Sequence, residues 1–203
     1  MASARLLLIR HGETVWNHDG RFTTHSDVPL SEVGVAQALD AAEALAATPI
    51  ARIYSSPLQR ALVTAETIAA RQTGGPPLHV DGRLTEIDAG PFDGLTVDEI
   101  TAGPLAAEFA AWHRAERPVF PEGTETFASA VARAGSFLDD VRDAPGVTLA
   151  ATHGSLARVI VSALVLGGDP AQHRRLWMDN CRLAVVEWRA GVPTLTGFNL
   201  PRP

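Results

Sequence analysis

Two histidine-glycine pairs carry the strongest chemical signal in the chain: Arg10-His11-Gly12-Glu13-Thr14 near its start and Thr152-His153-Gly154-Ser155 in its last third. Each follows an apolar run of strand length, Leu6 to Ile9 in the first case and Val147 to Ala151 in the second. A strand that ends in Arg-His-Gly sets a cation, an imidazole and a residue without a side chain around one point, and an anion fits there. The helix after His153 adds N-terminal amides to the same space. A third apolar segment, Ile53-Tyr54, runs into Ser55-Ser56-Pro57-Leu58-Gln59-Arg60, which puts Arg60 in the first turn of a helix at the same edge. Two arginines and two histidines then converge. Either histidine alone would be an ordinary strand-end residue; the joint pattern, with the acidic loop around Glu86 between them in sequence, is what points to a site.

Such a site needs strands that end side by side. The strand-length runs alternate with segments of helical period around Ser31 to Ala47, Leu58 to Ala70, Glu125 to Val141 and Leu156 to Leu166. That alternation predicts an α/β fold, a three-layer α/β/α sandwich with a mostly parallel central sheet, whose ligands bind outside the carboxyl ends of the strands. Ser31 caps the first long helix, Ser56-Pro57 suits a helix start, and Gly74-Gly75-Pro76-Pro77 is a tight loop. A hairpin from Leu183 to Trp188 and Thr194 to Phe198, turning at Ala190-Gly191, is expected to close the sheet. No repeat, low-complexity tract or long linker interrupts the 203 residues, so a single domain over 1–203 is expected.

Composition narrows the chemistry. A net charge of -6 with no basic block argues against a nucleic-acid partner. All 17 basic residues are arginine, which excludes a Schiff-base or Walker lysine and leaves any phosphate clamp to arginine, histidine and backbone amides. The lone Cys181 allows no intrachain disulfide and no CxxC site, and the apolar start is cut short by Arg10 and His11, so no membrane span forms there and a reducing, cytoplasmic setting is expected. His18, His25, His79, His113 and His173 are scattered singly without metal-ligand spacing and are expected at the surface. No metal or cofactor is expected.

On these motifs the chain resembles the histidine phosphatase superfamily, in the branch of cofactor-dependent phosphoglycerate mutases, fructose-2,6-bisphosphatases and broad-specificity phosphatases. The resemblance runs from about Leu6 to Leu166. It rests on the stretch from Leu8 to Asn17, Gly20-Arg21-Phe22-Thr23, the stretch from Asp27 to Gly34, Ser55 to Ala61, Leu84 to Gly90, Asp93-Gly94-Leu95-Thr96 and Thr152-His153-Gly154. It implies that His11 is the residue phosphorylated, that Arg10, Arg60 and His153 grip the phosphoryl group, that Asn17, Thr23 and Gly154 help to bind it, and that Glu86 donates the proton. Those roles make physical sense. Flanking arginine charge keeps the His11 imidazole neutral and nucleophilic, while planar guanidinium forks suit the three equatorial oxygens of a phosphoryl group in transfer.

Two positions depart from the family pattern. Thr24 stands where relatives usually have glycine, and Gly123-Thr124-Glu125-Thr126 replaces the usual Gly-Gly-Glu-Ser loop, so these residues are expected to shape the pocket rim. Asp88, before Gly90, reads as a local hydrogen-bond acceptor. Phe109, Trp112 and Phe120 read as packing residues, and Arg114 or Arg117 could reach a second anionic group. The expected partner is a small phosphate ester, hydrolysed rather than transferred, because only Leu95 to Glu122 is available to cover the site. A phosphoglycerate mutase and a catalytically silent phospho-ligand binder are the alternatives. A homodimer through a sheet edge is possible on this reading.

Overall fold

The computed structural model describes residues 4–114 and 118–201, with only the backbone of Arg114; the contact expected from Arg114 or Arg117 lies outside the described side chains. In chain order the strands are β1 (Arg5–Arg10), β2 (Ile50–Ser55), β3 (Leu78–Val80), β4 (Val147–Thr152), β5 (Leu183–Arg189) and β6 (Val192–Leu200). They form a sheet of order β3-β2-β4-β1-β5-β6. Neighbours from β3 to β1 pair parallel, and β5 and β6 are added antiparallel. The expected hairpin turn holds: Ala190 and Gly191 both take positive φ, at 51° and 79°, as a two-residue type I′ turn requires. β3 was not expected, since its three residues are too few and too exposed to show a period.

The helices are α1 (Val15–His18), α2 (Glu32–Leu45), α3 (Gln59–Ala69), α4 (Val97–Ala102), α5 (Ala106–Phe109), α6 (Phe127–Val141) and α7 (Gly154–Val159). Ser31 caps α2 as expected, accepting from the Gly34 N–H. α6 starts two residues later than its period suggests because Thr126 takes the cap and Glu125 pairs with Arg133 instead. α7 starts earlier, at Gly154, and from Ile160 the chain widens into a π turn through Val165. Alternate residues of β1 feed opposite layers. Leu6 and Leu8 pack with Phe137 of α6 and Leu156 of α7, whereas Leu7 and Ile9 pack with Ala38 and Ala41 of α2 and Ile68 of α3. This two-sided burial explains why the central strands read as unbroken apolar runs. A third cluster of Phe92, Ile100, Phe109 and Trp112 packs the segment after the acidic loop. No helix among the described residues is long and apolar enough to cross a membrane.

Register does the positioning. Arg10 and Thr152 are direct partners across β1 and β4, so His11 and His153 leave the sheet side by side. The His11 N–H donates to the Thr152 carbonyl at 2.9 Å, and the Ser56 N–H to the Ala151 carbonyl at 3.0 Å, which brings the end of β2 to the same place. The loop after β1 is then pressed onto the helical layer. Gly12 donates to Thr64 Oγ1 of α3 (3.1 Å), Glu13 N–H to Gln37 Oε1 of α2 (2.9 Å) and Ser31 Oγ to Glu13 Oε1 (2.9 Å). The approach is so close that a Cβ on Gly12 would strike the Gly34 carbonyl, and one on Gly34 would strike the Glu13 carbonyl. Gly34→Ala is therefore expected to cost about 1–3 kcal/mol in urea unfolding; an unchanged midpoint would show that the loop yields freely.

Candidate active site

The His11 imidazole is buried, and its Nδ1 lies 2.6 Å from the carbonyl of Gly12. A carbonyl only accepts, so Nδ1 carries the ring proton and Nε2 keeps its lone pair. Burial, then the charges of Arg10 and Arg60, hold the ring well below the usual histidine range. His11 thus presents a neutral ring nitrogen with a free lone pair, its tautomer set by its own neighbour. The Asn180 side-chain amide donates to the His11 carbonyl (2.9 Å), and the Cys181 N–H bonds the Arg10 carbonyl (2.9 Å), which fixes the backbone behind it.

The charges of Arg10 and Arg60 act on this ring. Arg10 donates to the Met178 carbonyl (2.7 Å), and burial lowers it to about 10 against the opposing pull of Glu86. Arg60 is 0% exposed. Its guanidinium is held by carbonyls of the loop before α2, Ser26 at 2.9 Å and Thr24 at 2.6 Å. That loop is in turn fastened by Asp93, which accepts from the Thr24 and Ser26 N–H groups, while Asp27 receives the Gln59 N–H at the start of α3. Arg158, which sequence reasoning missed, donates to the carbonyls of Gly154 and Leu176 and to Ser155 Oγ. Burial lowers Arg60 and Arg158 as well, and Glu86 is the first opposing charge for both. Among the described residues none of the three arginines has a carboxylate within ion-pair distance.

His153 is fully buried, with its ring centroid 5.1 Å from that of His11. Its Nε2 lies 2.8 Å from Ser56 Oγ, which also accepts the Leu58 N–H at 3.3 Å. If the serine proton goes to Nε2, Nδ1 becomes the donor. Burial first, then His11 and the two arginines, keep this ring neutral too. Among the described residues Arg10 Nε, Arg60 Nε and His153 Nδ1 are all buried without a hydrogen-bond partner. Buried orphan donors are costly.

Glu86 is buried, and its carboxylate is oriented by backbone amides. Oε1 accepts from Ile87 and Leu156, both at 2.9 Å, and Oε2 from Ser155 at 2.9 Å. Oε2 therefore keeps an open lone pair. A cavity of about 220 Å³ beside His11 is bordered by Arg10, Asn17, Thr23, Glu86 and Gly154, all expected from sequence, and also by Arg158. Arg60 and His153, both fully buried, do not border it. Asn17 Nδ2 reaches Thr23 Oγ1 at 3.5 Å, and Trp177, 70% exposed, stands at the mouth.

Some expectations need correction. Thr124 turns its hydroxyl to the Pro121 carbonyl (2.6 Å), closing a turn, and does not border the cavity beside His11. Thr24 does border it. His173 is buried against Phe127, 5.0 Å between ring centroids, rather than at the surface. Asp88 is the local acceptor expected, taking the Gly90 N–H at 2.8 Å. Phe109 and Trp112 pack together as expected, although Trp112 also borders a second cavity. Arg158 carried one sequence signal, its place one turn after the His-Gly pair; Trp177 and Met178 carried none.

The profile of the histidine phosphatase superfamily, branch 1, matches residues 6–201. The chain belongs to this superfamily. Within the superfamily, it is 33% identical to phosphoserine phosphatase 1 of Hydrogenobacter thermophilus, over 90% of this chain and 85% of that one. It is 32% identical to a probable phosphoglycerate mutase of Yersinia pestis, over 91% and 85%. A solved phosphoserine phosphatase of Entamoeba histolytica, in complex with 3-phosphoglyceric acid, superposes with a TM-score of 0.82 at 28% identity, covering 98% of both chains. The mostly parallel sheet and its helical layers are thus the fold of histidine phosphatases.

Three imidazoles are held neutral in the folded chain: His11 and His153 well below 6.5, and His173 at about 4 because of burial and then Arg158. Each binds a proton more readily once unfolded. Stability is therefore full above pH 6.5 and is lost as pH falls below it, by roughly 1.4 kcal/mol per pH unit for each group until its folded value is reached. Urea midpoints are expected to fall steeply between about pH 7 and pH 5; a flat profile would contradict the neutral burial of these rings.

Proposed function

We propose that the protein is a metal-independent phosphomonoesterase acting on small phosphorylated metabolites through a phosphohistidine at His11, with Glu86 moving the protons. The observation that carries this reading is the neutral His11 Nε2, set beside buried guanidinium groups and a carboxylate with one open lone pair. In the first half-reaction the Nε2 lone pair attacks phosphorus, the N–P bond forms and the P–O bond to the alcohol breaks. Glu86, which the second half-reaction leaves protonated on Oε2, gives that proton to the departing oxygen. Arg10, Arg60 and Arg158 offset the charge on the phosphoryl oxygens, and His153 Nδ1 adds a donor once Ser56 sets its tautomer. In the second half-reaction the Glu86 carboxylate takes a proton from water, whose oxygen attacks phosphorus. The P–N bond breaks, inorganic phosphate leaves, and His11 regains its lone pair.

The family and its phosphatase-named relatives support phosphate-ester chemistry, while the mutase-named relative keeps phosphoryl transfer as the second reading. What separates the two is access of water to phosphohistidine. Trp177, 70% exposed at the mouth, speaks for an open site and hence hydrolysis. His11→Ala is expected to lower p-nitrophenyl phosphate turnover by roughly 10³-fold or more, with chelator present throughout. Wild-type activity in that variant, or dependence on an added divalent metal, would overturn the mechanism. Glu86→Gln is expected to slow alkyl esters by roughly 10²-fold or more and aryl esters less, since an aryl leaving group needs less protonation; equal losses would remove Glu86 as the proton donor.

A further inference from the structure

Glu86 stands in a stretch without regular structure, between the 3-10 turns Gly82–Leu84 and Gly90–Phe92. The amides of Ile87, Ser155 and Leu156 orient its carboxylate, but its main chain is held differently. Among the described residues the Glu86 backbone makes one hydrogen bond, accepted by its carbonyl from His25 Nε2 at 3.0 Å. A carbonyl only accepts, so Nε2 carries a proton. The other ring nitrogen, Nδ1, lies 3.4 Å from Asp88 Oδ2, and Asp88 is itself fixed by the Gly90 N–H at its side chain and the Glu125 N–H at its carbonyl. The His25 ring is thus set between two points of the acidic loop. It also belongs to the loop that holds Arg60. The carbonyls of Thr24 and Ser26, on either side of His25, accept from the Arg60 guanidinium, while the amides of the same two residues donate to Asp93. Thr24 Oγ1 accepts the Ala89 N–H at 3.3 Å, a bond that glycine at this position could not make.

We propose that His25 is a positioning residue for proton transfer, holding the Glu86 carbonyl so that the carboxylate keeps its place relative to the loop that fixes Arg60. This role rests on the phosphatase reading, in which Glu86 moves the protons, and adds to it a residue that touches no reacting atom. His25 borders neither the cavity beside His11 nor the second one, so its loss removes no lining contact. A carboxyl group delivers a proton only over a narrow range of distance and angle, and a misplacement of about 1 Å costs on the order of 10²-fold in rate. The loss falls on the proton and not on the grip of the phosphoryl group. It therefore grows with the need of the leaving oxygen for protonation.

The test compares benzyl phosphate, whose leaving group is an alcohol, with p-nitrophenyl phosphate through kcat/KM, which reports the steps up to departure of that group. His25→Ala is expected to lower kcat/KM by about fivefold or more for benzyl phosphate and by less than about twofold for p-nitrophenyl phosphate. The amide nitrogen of His25→Gln can stand where Nε2 stood, so this variant should keep at least about half of the wild-type value on benzyl phosphate. His25→Asn, whose amide falls short of the Glu86 carbonyl, should behave like the alanine variant. In a Glu86→Gln background His25→Ala should add less than about twofold, because both changes act on one proton transfer. Equal losses on the two esters, wild-type activity in His25→Ala, or losses that multiply in the double variant would overturn the proposal. Where the urea midpoint shows that the alanine variant folds poorly, the contrast between Gln and Asn decides in the same way. A selective loss on benzyl phosphate from Glu86→Gln but not from His25→Ala leaves the phosphatase reading standing without His25. No selective loss from Glu86→Gln itself removes Glu86 as the proton donor and the role of His25 with it.

Discussion

Three guanidinium groups, Arg10, Arg60 and Arg158, are buried with Glu86 as the first opposing charge for each and, among the described residues, no carboxylate in ion-pair contact, and the rest of the site depends on that. Buried cations without carboxylate partners are expensive, and here carbonyls bear the cost: Met178 for Arg10, Thr24 and Ser26 for Arg60, Gly154 and Leu176 for Arg158. Carbonyl dipoles hold a guanidinium in place without cancelling its charge. Burial first, and then the field that remains, keep His11 and His153 neutral, and the same field favours negative charge nearby. One arrangement thus keeps an imidazole nitrogen neutral and favours negative charge beside it.

The backbone supports this arrangement at its tightest points. Pairing of Arg10 with Thr152 across β1 and β4 sets the two histidines side by side, and a slip of one residue in β1 would turn the apolar faces of that strand to the wrong layers. The loop after β1 is wedged against α2, where only glycine fits at positions 12 and 34. Glu86 reaches the same point through the amides of Ser155 and Leu156, so one segment, His153 to Leu156, orients both an imidazole and the carboxylate.

Much of this was legible in sequence because it is local. Apolar runs followed at once by Arg10-His11-Gly12 and Thr152-His153-Gly154 put both imidazoles at strand ends, and the Ser56-Pro57 start put Arg60 in the first turn of its helix. What stayed hidden depends on contacts far apart in the chain. Met178 meets Arg10 across 168 positions, and Asn180 meets His11 across 169, with no motif to announce either. The place of Arg158 one turn after His153-Gly154 does not show that its guanidinium turns back onto Gly154 and Ser155. His173, one of five scattered histidines, is buried by a 3-10 turn packed against Phe127, which periodicity does not register. The second cavity was readable only as separate residues, since its aromatic rings, Phe22, Trp112, Phe127 and Trp177, come from four separate segments.

The central claim is that a neutral His11 becomes phosphorylated. Its most direct test is to quench the enzyme with substrate within a single turnover, in alkali where phosphoramidates survive, and to map the phosphoryl group on peptides by mass spectrometry. The account predicts one phosphoryl group, on His11, that is labile to acid and appears no later than the released alcohol. A phosphoryl group on a carboxylate or hydroxyl, or release of alcohol in the first turnover with His11 unmodified, would contradict it.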